Sequence, residues 1–368
     1  MKLIQTPRDA LLKPLQAVTG IVERKHTLPI LSNVLLERKP GVLNLTATDL
    51  EIQVMTSSAC SVDGEDIAIT VSARKLQDIL RSLPDPVQVS LELADNRLHV
   101  KAERSRFNLQ TLPAQDFPRI AEGAEIGASF TLQQGALRHL LALVQYAMAQ
   151  QDIRYYLNGL LMIVEGGAVT VVATDGHRLA LATLSTAEST AREEVIVPRK
   201  AVVELIKLLA ESEEPVRIDV LGNQVRFSFG TTLLVTKVVD GKFPDYKRVI
   251  PGGYQRQFQI DRQVLLQALQ RAAILSNEKF RGVRWILSPG TLCIACTNTE
   301  QEEAQEELEI DYQGETLDIG FNVTYLTDVL SNLDAPTVAC ALGDANSSAV
   351  LTVPGSEGFL YVVMPMRI

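Results

Sequence analysis

Apolar and polar positions along this chain switch repeatedly between a period near 3.6 and a period of two. Leu11, Leu15 and Val18 keep the spacing of one buried helix face. Thr6-Pro7-Arg8-Asp9, just ahead of them, read as an N-cap, a proline at the first helical position and an acid near the positive end. Pro14 lies inside the pattern and predicts a kink or a loose first turn. Strand pairs with alternating character follow, as in Gly41-Val42-Leu43-Asn44-Leu45-Thr46-Ala47-Thr48-Asp49. A second helix is predicted from Arg74 to about Ser82, closed by Pro84 and Pro86. Val87–Leu93, a turn at Asp95-Asn96 and Arg97–Lys101 then predict further strands. Two helices on many short strands make an α+β arrangement, with the helices gathered on one sheet face.

This layout occurs three times. Leu11-Leu12-Lys13-Pro14-Leu15 is echoed by Leu137-Arg138-His139-Leu140-Leu141 and by Leu265-Leu266-Gln267-Ala268-Leu269, in steps of 126 and 128. Thr48-Asp49 returns as Thr174-Asp175 and as Thr297-Asn298. Asp78-Ile79-Leu80 returns as Glu204-Leu205-Ile206 and Asp328-Val329-Leu330, and Phe117-Pro118 as Phe243-Pro244 and, more loosely, Met364-Pro365. Four landmarks in one order at nearly one period suit whole domains rather than solenoid units. The expected domains are 1–126, 127–252 and 253–368.

Composition removes several classes. With 368 residues, 46 % apolar and 21 % charged, the chain is neither disordered nor a coiled coil. No run of about 18 apolar residues predicts a membrane span, and Met1-Lys2-Leu3-Ile4-Gln5-Thr6-Pro7 lacks the apolar core of a signal peptide. Four cysteines make no disulfide framework, so a reducing cytoplasm is expected. A net charge of −9 argues against coating nucleic acid by bulk attraction.

Catalytic signatures are missing. Neither a phosphate-binding Gly-rich loop nor a nucleophile elbow occurs. Cys293-Ile294-Ala295-Cys296 lies in a strand-like run, where residues three apart face opposite sides, so neither zinc nor redox work is expected of it. Asp175-Gly176-His177-Arg178 is the most enzyme-like string, and a hydrolase built on Asp175 and His177 is one alternative reading. Its plainer reading is a turn between strands. No catalytic residue, metal or cofactor is assigned.

Positions on which the copies disagree are better candidates for function than those they share. Copies one and three continue the Thr-Asp landmark as Leu50-Glu51 and Thr299-Glu300, whereas copy two carries Gly176-His177-Arg178-Leu179. Copy two also adds Asp245-Tyr246-Lys247-Arg248-Val249 after Phe243-Pro244, and the chain ends in Tyr361-Val362-Val363-Met364-Pro365-Met366-Arg367-Ile368. Flexible thioethers in such a tail suit an adaptable apolar groove. Six glutamates fall within 300–309, while Arg97, Lys101, Arg104 and Arg106 sit beside Phe107 and Leu109. Opposite charge in the first and third copies suits head-to-tail assembly, with Ile274 and Leu275 supplying adhesion. Basic residues concentrate in or near the predicted helices, among them Arg24, Lys25, Arg74, Lys75, Arg81, Arg199 and Lys200, and Tyr155-Tyr156 offer rings to an unpaired base. An acidic chain with basic helix faces attracts phosphate locally while repelling it elsewhere, so a monomeric DNA-binding protein is a second alternative.

Several long strings carry a resemblance. Leu28-Pro29-Ile30-Leu31, Gln151-Asp152-Ile153-Arg154-Tyr155-Tyr156-Leu157-Asn158-Gly159, Ala173-Thr174-Asp175-Gly176-His177-Arg178-Leu179, the segment from Ala272 to Val283 and the tail Tyr361–Arg367 closely resemble the bacterial DNA polymerase III β subunits, the sliding clamps. The likeness covers essentially the whole chain. It implies three repeated clamp domains, two chains closing head to tail into a six-domain ring around duplex DNA, with helices lining the hole and antiparallel sheets outside. It implies a pocket for a short Gln/Leu/Phe-type motif of client proteins at Leu157, Thr174, Gly176, His177, Arg178, Leu179, Pro244, Arg248, Val249, Asn322, Tyr325, Asn346, Ser348, Val362, Val363, Met364, Pro365, Met366 and Arg367. DNA-facing candidates by the same resemblance are Arg24, Lys25, Arg74, Arg81, Gln151, Tyr155, Tyr156, Arg199 and Lys200. The ring joint is carried over to Lys75, Arg104, Phe107, Leu109, Ile274, Leu275, Glu300, Glu302 and Glu303. Implied partners are double-stranded DNA without sequence preference, the polymerase α subunit, an ATP-driven clamp loader and other polymerases or repair proteins, with no membrane.

Overall fold

A strand, Lys2–Pro7, opens the chain, ahead of the helix that the capping signals predict. Leu3 and Ile4 are fully buried, and Thr6 and Pro7 pair opposite Val89 and Gln88. Thr6 is therefore spent on the sheet, and Pro7 itself is the N-cap of helix α1, Arg8–Thr19, with no side-chain capping bond. Proline is tolerated there because this strand is the sheet's edge. The computed structural model describes residues 1–23, 28–60, 65–121, 126–188 and 190–367.

Helix α1 buries Leu11, Leu12, Leu15 and Val18 and runs unbroken through Pro14. Proline cannot donate to the carbonyl four residues back. The Ser58 hydroxyl supplies the missing donor, reaching the Ala10 carbonyl at 2.8 Å, and Thr56 caps the Pro14 carbonyl at 3.1 Å. The kink expected at Pro14 is thus offset from the neighbouring strand.

The remaining helices are α2 (Ala73–Ser82), α3 (Gln134–Ala142), α4 (Arg199–Leu208), α5 (Arg262–Ala273) and α6 (Val323–Asn332). They form three pairs whose first residues, 8, 134 and 262, then 73, 199 and 323, keep the period of the sequence. Each keeps an apolar stripe inward: α2 buries Ala73, Leu76 and Leu80 and leaves Arg74, Lys75 and Arg81 exposed. Asp95 and Asn96 both take positive φ in the predicted turn, as a two-residue hairpin of the primed type requires.

Packing divides the chain into two compact units, Met1–Gly135 with Val203–Val238, and Ala136–Val202 with Val239–Ile368. The first contains one twelve-stranded sheet. Within it, Ile52–Ala59 from copy one pairs antiparallel with Thr232–Lys237 from copy two.

The second unit has an eight-stranded and a four-stranded sheet. The order in the larger is Glu193–Pro198, Gly159–Glu165, Ala168–Thr174, Arg178–Ser185, Ser356–Val363, Ala349–Val353, Thr337–Leu342 and Arg256–Asp261. Four strands of copy two therefore meet four of copy three where Arg178 pairs with Val363 and Leu179 with Val362. The smaller sheet runs Glu303–Glu309, Thr291–Thr297, Gly282–Ser288 and Leu317–Asn322. Cys296 is buried on its inner face while Cys293 is half-buried on the other, as the strand period dictates. Trp285 is fully buried against Phe258 and, edge to face at 5.4 Å, Phe321.

Candidate functional site

The turn between Ala168–Thr174 and Arg178–Ser185 is tied by its own side chains. Thr174 Oγ1 donates to the Arg178 carbonyl at 2.6 Å and accepts the Gly176 amide at 3.1 Å. Asp175 Oδ1 accepts the amides of His177 and Arg178 at 2.9 and 3.1 Å. The same pattern appears one period earlier, where Thr48 bonds the Ile52 carbonyl and the Leu50 amide, and Asp49 accepts the amides of Glu51 and Ile52. The Thr-Asp landmark is therefore a turn scaffold, and the copies differ in what it displays. Where copy one has Leu50 and Ile52, copy two has Gly176 and Arg178.

Beside this turn the second unit holds a cleft of about 400 Å³. Eleven of the sequence candidates line it: Leu157, Thr174, Gly176, His177, Arg178, Leu179, Pro244, Val249, Ser348, Val362 and Met364. Its floor is the apolar cluster of Leu157, Leu161, Val172, Leu179, Phe243 and Val362, all buried. Such a cleft, apolar with a few fixed polar groups at its rim, suits an apolar side chain presented by a ligand. Arg154, Asp245 and Tyr246 also line it without having been singled out as site residues. Asp245 and Tyr246 stood in the copy-two insertion, so a signal for them existed; Arg154 had none beyond its place in the Gln151–Gly159 string.

Arg178 is the hub of the rim. Its guanidinium donates to Asp175 Oδ2 at 3.0 Å, to Asp328 Oδ2 at 2.6 Å and to the Tyr146 carbonyl at 2.6 Å. It also lies over the Tyr325 ring, 4.4 Å from its centroid. Burial works against its charge, but the bond to Asp328 and the field of Asp175 raise its pKa above the ordinary arginine range. Burial pushes the hydroxyls of Tyr146, Tyr325 and Tyr361 up, so these rings stay neutral. Tyr361 donates to the Tyr325 carbonyl at 2.9 Å, tying the last strand to α6.

A second arginine closes the other side. Arg154 makes a paired contact with Asp152 at 3.0 and 2.8 Å and reaches the Asp175 carbonyl at 3.1 Å. The Arg154 bond holds the Asp152 carboxyl down to about 2. Gly176 adopts φ +90°, and a Cβ there would lie 2.9 Å from the Arg154 guanidinium. Glycine is needed at this tip for its left-handed backbone, since the guanidinium is the far end of a flexible side chain that can move aside.

The tail is held by backbone. The Met364 amide donates to the His177 carbonyl at 2.9 Å and the Met366 amide to the Gly320 carbonyl at 2.8 Å. The other pocket candidates stand around the lining rather than in it. Asn322 caps α6 through the Thr324 amide, Tyr325 backs Arg178, and Val363 is buried. Arg248 pairs with Asp245 at 2.8 Å, Asn346 sits in a turn tied to Asp344, Pro365 and Met366 are half-buried, and Arg367 is exposed.

The nucleic-acid candidates divide by their degree of commitment. Arg81 is exposed at the end of α2, and Arg74, though exposed, donates to the Val22 carbonyl at 2.6 Å. Gln151, at φ +54°, and Tyr155 are exposed in the segment that carries Arg154, and Tyr156 is half-buried edge-on to Tyr155. Arg199 is drawn inward to the carbonyls of Gln145 and Met148, and burial, then repulsion from Arg178, lower its pKa. Lys200 is half-buried on α4. Arg24 and Lys25 lie outside the described residues.

The joint candidates lie on two sheet margins and at helices α2 and α5. Residues 105–110, with Phe107 and Leu109 half-buried, pair with Arg97–Ala102 on one side, and the strand meets Ile67–Ser72 only from Thr111 on. Glu303 begins the edge strand of the four-stranded sheet, and Glu300 and Glu302 are exposed in the turn before it. Ile274 is 78 % exposed after α5, Leu275 is half-buried, and Lys75 and Arg104 are exposed.

The Asp175 carboxylate is committed to Arg178 and to two amides, so it organises the turn rather than orienting the His177 ring. Among the described residues no group of three or more His, Cys, Asp or Glu is placed to hold a metal, and no helix is long and apolar enough to cross a membrane.

Comparison with known proteins covers the whole length. Three family models match in order: the DNA polymerase III beta subunit N-terminal domain over residues 1–121, its central domain over 131–245 and its C-terminal domain over 247–367. The beta sliding clamp of Pseudomonas putida is 49 % identical over 98 % of both chains, and that of Escherichia coli K12 is 45 % identical over the same share. A crystal structure of the DNA polymerase sliding clamp from Pseudomonas aeruginosa with ligand, 48 % identical, superposes with a TM-score of 0.95 over all of both chains.

Proposed function

The chain belongs to the DNA polymerase III beta subunit family, the DNA sliding clamps, and from that premise we propose how its residues divide the work. Three clamp domains, 1–126, 127–252 and 253–368, carry two helices each. Two chains close head to tail into a ring through Lys75, Arg104, Phe107, Leu109, Ile274, Leu275 and the glutamates at 300, 302 and 303. The helices face enclosed duplex DNA, which Arg24, Lys25, Arg74, Arg81, Gln151, Tyr155, Tyr156, Arg199 and Lys200 meet without reading its sequence. The cleft at the Thr174 turn receives a short linear motif from the polymerase α subunit, the clamp loader and other polymerases or repair proteins. The chain is a non-catalytic processivity subunit acting in the cytoplasm.

The observation that carries the reading is the threefold recurrence of a helix pair on antiparallel strands, with the cleft formed where the elaborated turn of copy two meets the end of copy three. Enclosure explains how an acidic protein stays on DNA. Each tight phosphate contact must break before a bound protein can slide, and its strength falls steeply with salt. A closed ring needs only weak basic contacts, so it holds and slides together. A client held in the cleft is thereby kept at high effective concentration near the primer end.

Retention on nicked circular DNA, measured before and after the circle is cut, tests this directly. Loss of protein from the linear form, with both ends free, is the expected result. Equal residence on circle and linear DNA would reject encirclement and favour a monomeric binder.

A further inference from the structure

At the cleft rim the Arg178 side chain is held from a different copy of the repeat. Its Nη1 bonds Asp328 Oδ2 at 2.6 Å across 150 residues of chain. Tyr325, one turn earlier on α6, presents its ring to the same guanidinium at 4.4 Å. The i, i+3 spacing puts both on one helix face. The Arg178 side chain is 10 % exposed, so it has little solvent to replace a lost partner.

We infer that Asp328, which does not line the cleft, is a positioning residue for client binding: it holds Arg178, and through Arg178 the Asp175 turn, in the geometry that receives a peptide. The inference rests on the cleft being the client site. With Asp328 removed, Arg178 keeps Asp175 and the Tyr146 carbonyl as partners, but the bond that fixes the far side of its fork is gone. The fork then swings toward its remaining partners. Asp175 also carries the carbonyl that Arg154 uses, so the displacement reaches the opposite rim.

The test uses the full chain and a fluorescein-labelled synthetic peptide of the Gln/Leu/Phe type, read by polarisation. Asp328→Ala is expected to weaken binding about tenfold, and Asp328→Glu, which restores the carboxylate, to recover most of that loss. In a cycle with Arg178→Ala, the double variant is expected to bind no more weakly than Arg178→Ala alone, because Asp328 acts through that side chain. Asp328→Asn, equal in size, takes the alanine's place if that chain melts below the assay temperature. Losses that add in the double variant, or that Asp328→Glu leaves in full, would mean a general structural role and overturn the inference. Equal binding by wild type and Asp328→Ala would also overturn it while the cleft assignment stands. A wild-type chain that fails to bind the peptide would overturn the cleft assignment itself.

Discussion

The amide of Met364 donates to the carbonyl of His177 at 2.9 Å, one bond past the last strand pair, Arg178 with Val363. The end of the chain is thereby continuous with the turn that only copy two has elaborated. Backbone fixes where the tail runs, while the Met364 side chain stays 47 % exposed at the cleft wall. A flexible thioether so placed covers the cleft without being locked into it.

A chain ended after Val363 loses that wall but little of its core, since none of the described residues beyond Val363 is buried. Affinity for a Gln/Leu/Phe-type peptide should fall at least tenfold, worth about 1.4 kcal/mol. The melting temperature and the mass in solution should stay as they are. Equal affinity before and after truncation, measured by polarisation, would remove the tail from the site.

Gly176→Ala meets a backbone at φ +90°, while its Cβ, 2.9 Å from the Arg154 guanidinium, pushes aside only the end of a flexible side chain. Left-handed strain costs about 1–3 kcal/mol. Thermal unfolding should register a loss of that order. Adding Arg154→Ala should return none of it, so the double variant should be no more stable than Gly176→Ala. A double variant clearly more stable than the single would place part of the cost in crowding against Arg154.

The period of the fold was written in the sequence because local rules write it. Leu11, Leu15 and Val18, or Leu76 and Leu80, can bury a stripe only as helices, and the helix starts keep the sequence period. The first strand was missed because two apolar residues, Leu3 and Ile4, make no visible alternation, and Thr6-Pro7 imitate a cap. The turn residues were legible where copies disagreed, as at Gly176 and Arg178. Asp328 and Tyr146 were not: pairing between the second and third copies brings Asp328 to Arg178 from 150 residues away, and Tyr146 reaches it from 32 residues away within copy two. Nor do the two packed units follow the threefold period, because Thr232–Lys237 joins the first copy's sheet and Arg178–Ser185 pairs with the third copy's last strand.

Asp152 offers a direct reading of the Arg154 clasp. Its carboxyl sits at about 2, first through the Arg154 side-chain bond and then through the Arg154 amide, below the ordinary value of about 3.9. A depressed carboxylate contributes above the unfolded pKa and loses its contribution as pH falls through the folded one. The clasp is therefore intact at neutral pH and opens between about pH 4 and 2. Carboxyl ¹³C titration should give a midpoint near 2, and Arg154→Ala should move it up toward the ordinary range. A midpoint near 3.9 in the wild-type chain would mean that Arg154 is not held at the cleft by Asp152.

Ile274 is 78 % exposed beside a half-buried Leu275, an arrangement that a single chain has no reason to keep. Covering such side chains is worth roughly 1.5–3 kcal/mol each, and a closed two-chain ring would use the joint twice. The acidic edge strand Glu303–Glu309 and the basic residues Arg97, Lys101, Arg104 and Arg106 beside the half-open strand at 105–110 supply charge of opposite sign, which sets register and encounter more than strength. Replacing Ile274 and Leu275 together by aspartate should leave the fold's melting temperature nearly unchanged, because Ile274 gives up little packing within its own chain. The mass by light scattering should fall from two chains to one, and retention on circular DNA should disappear with it. A double-aspartate variant that still runs as two chains would move the joint elsewhere, and adhesion would then have to come from the strand edges alone.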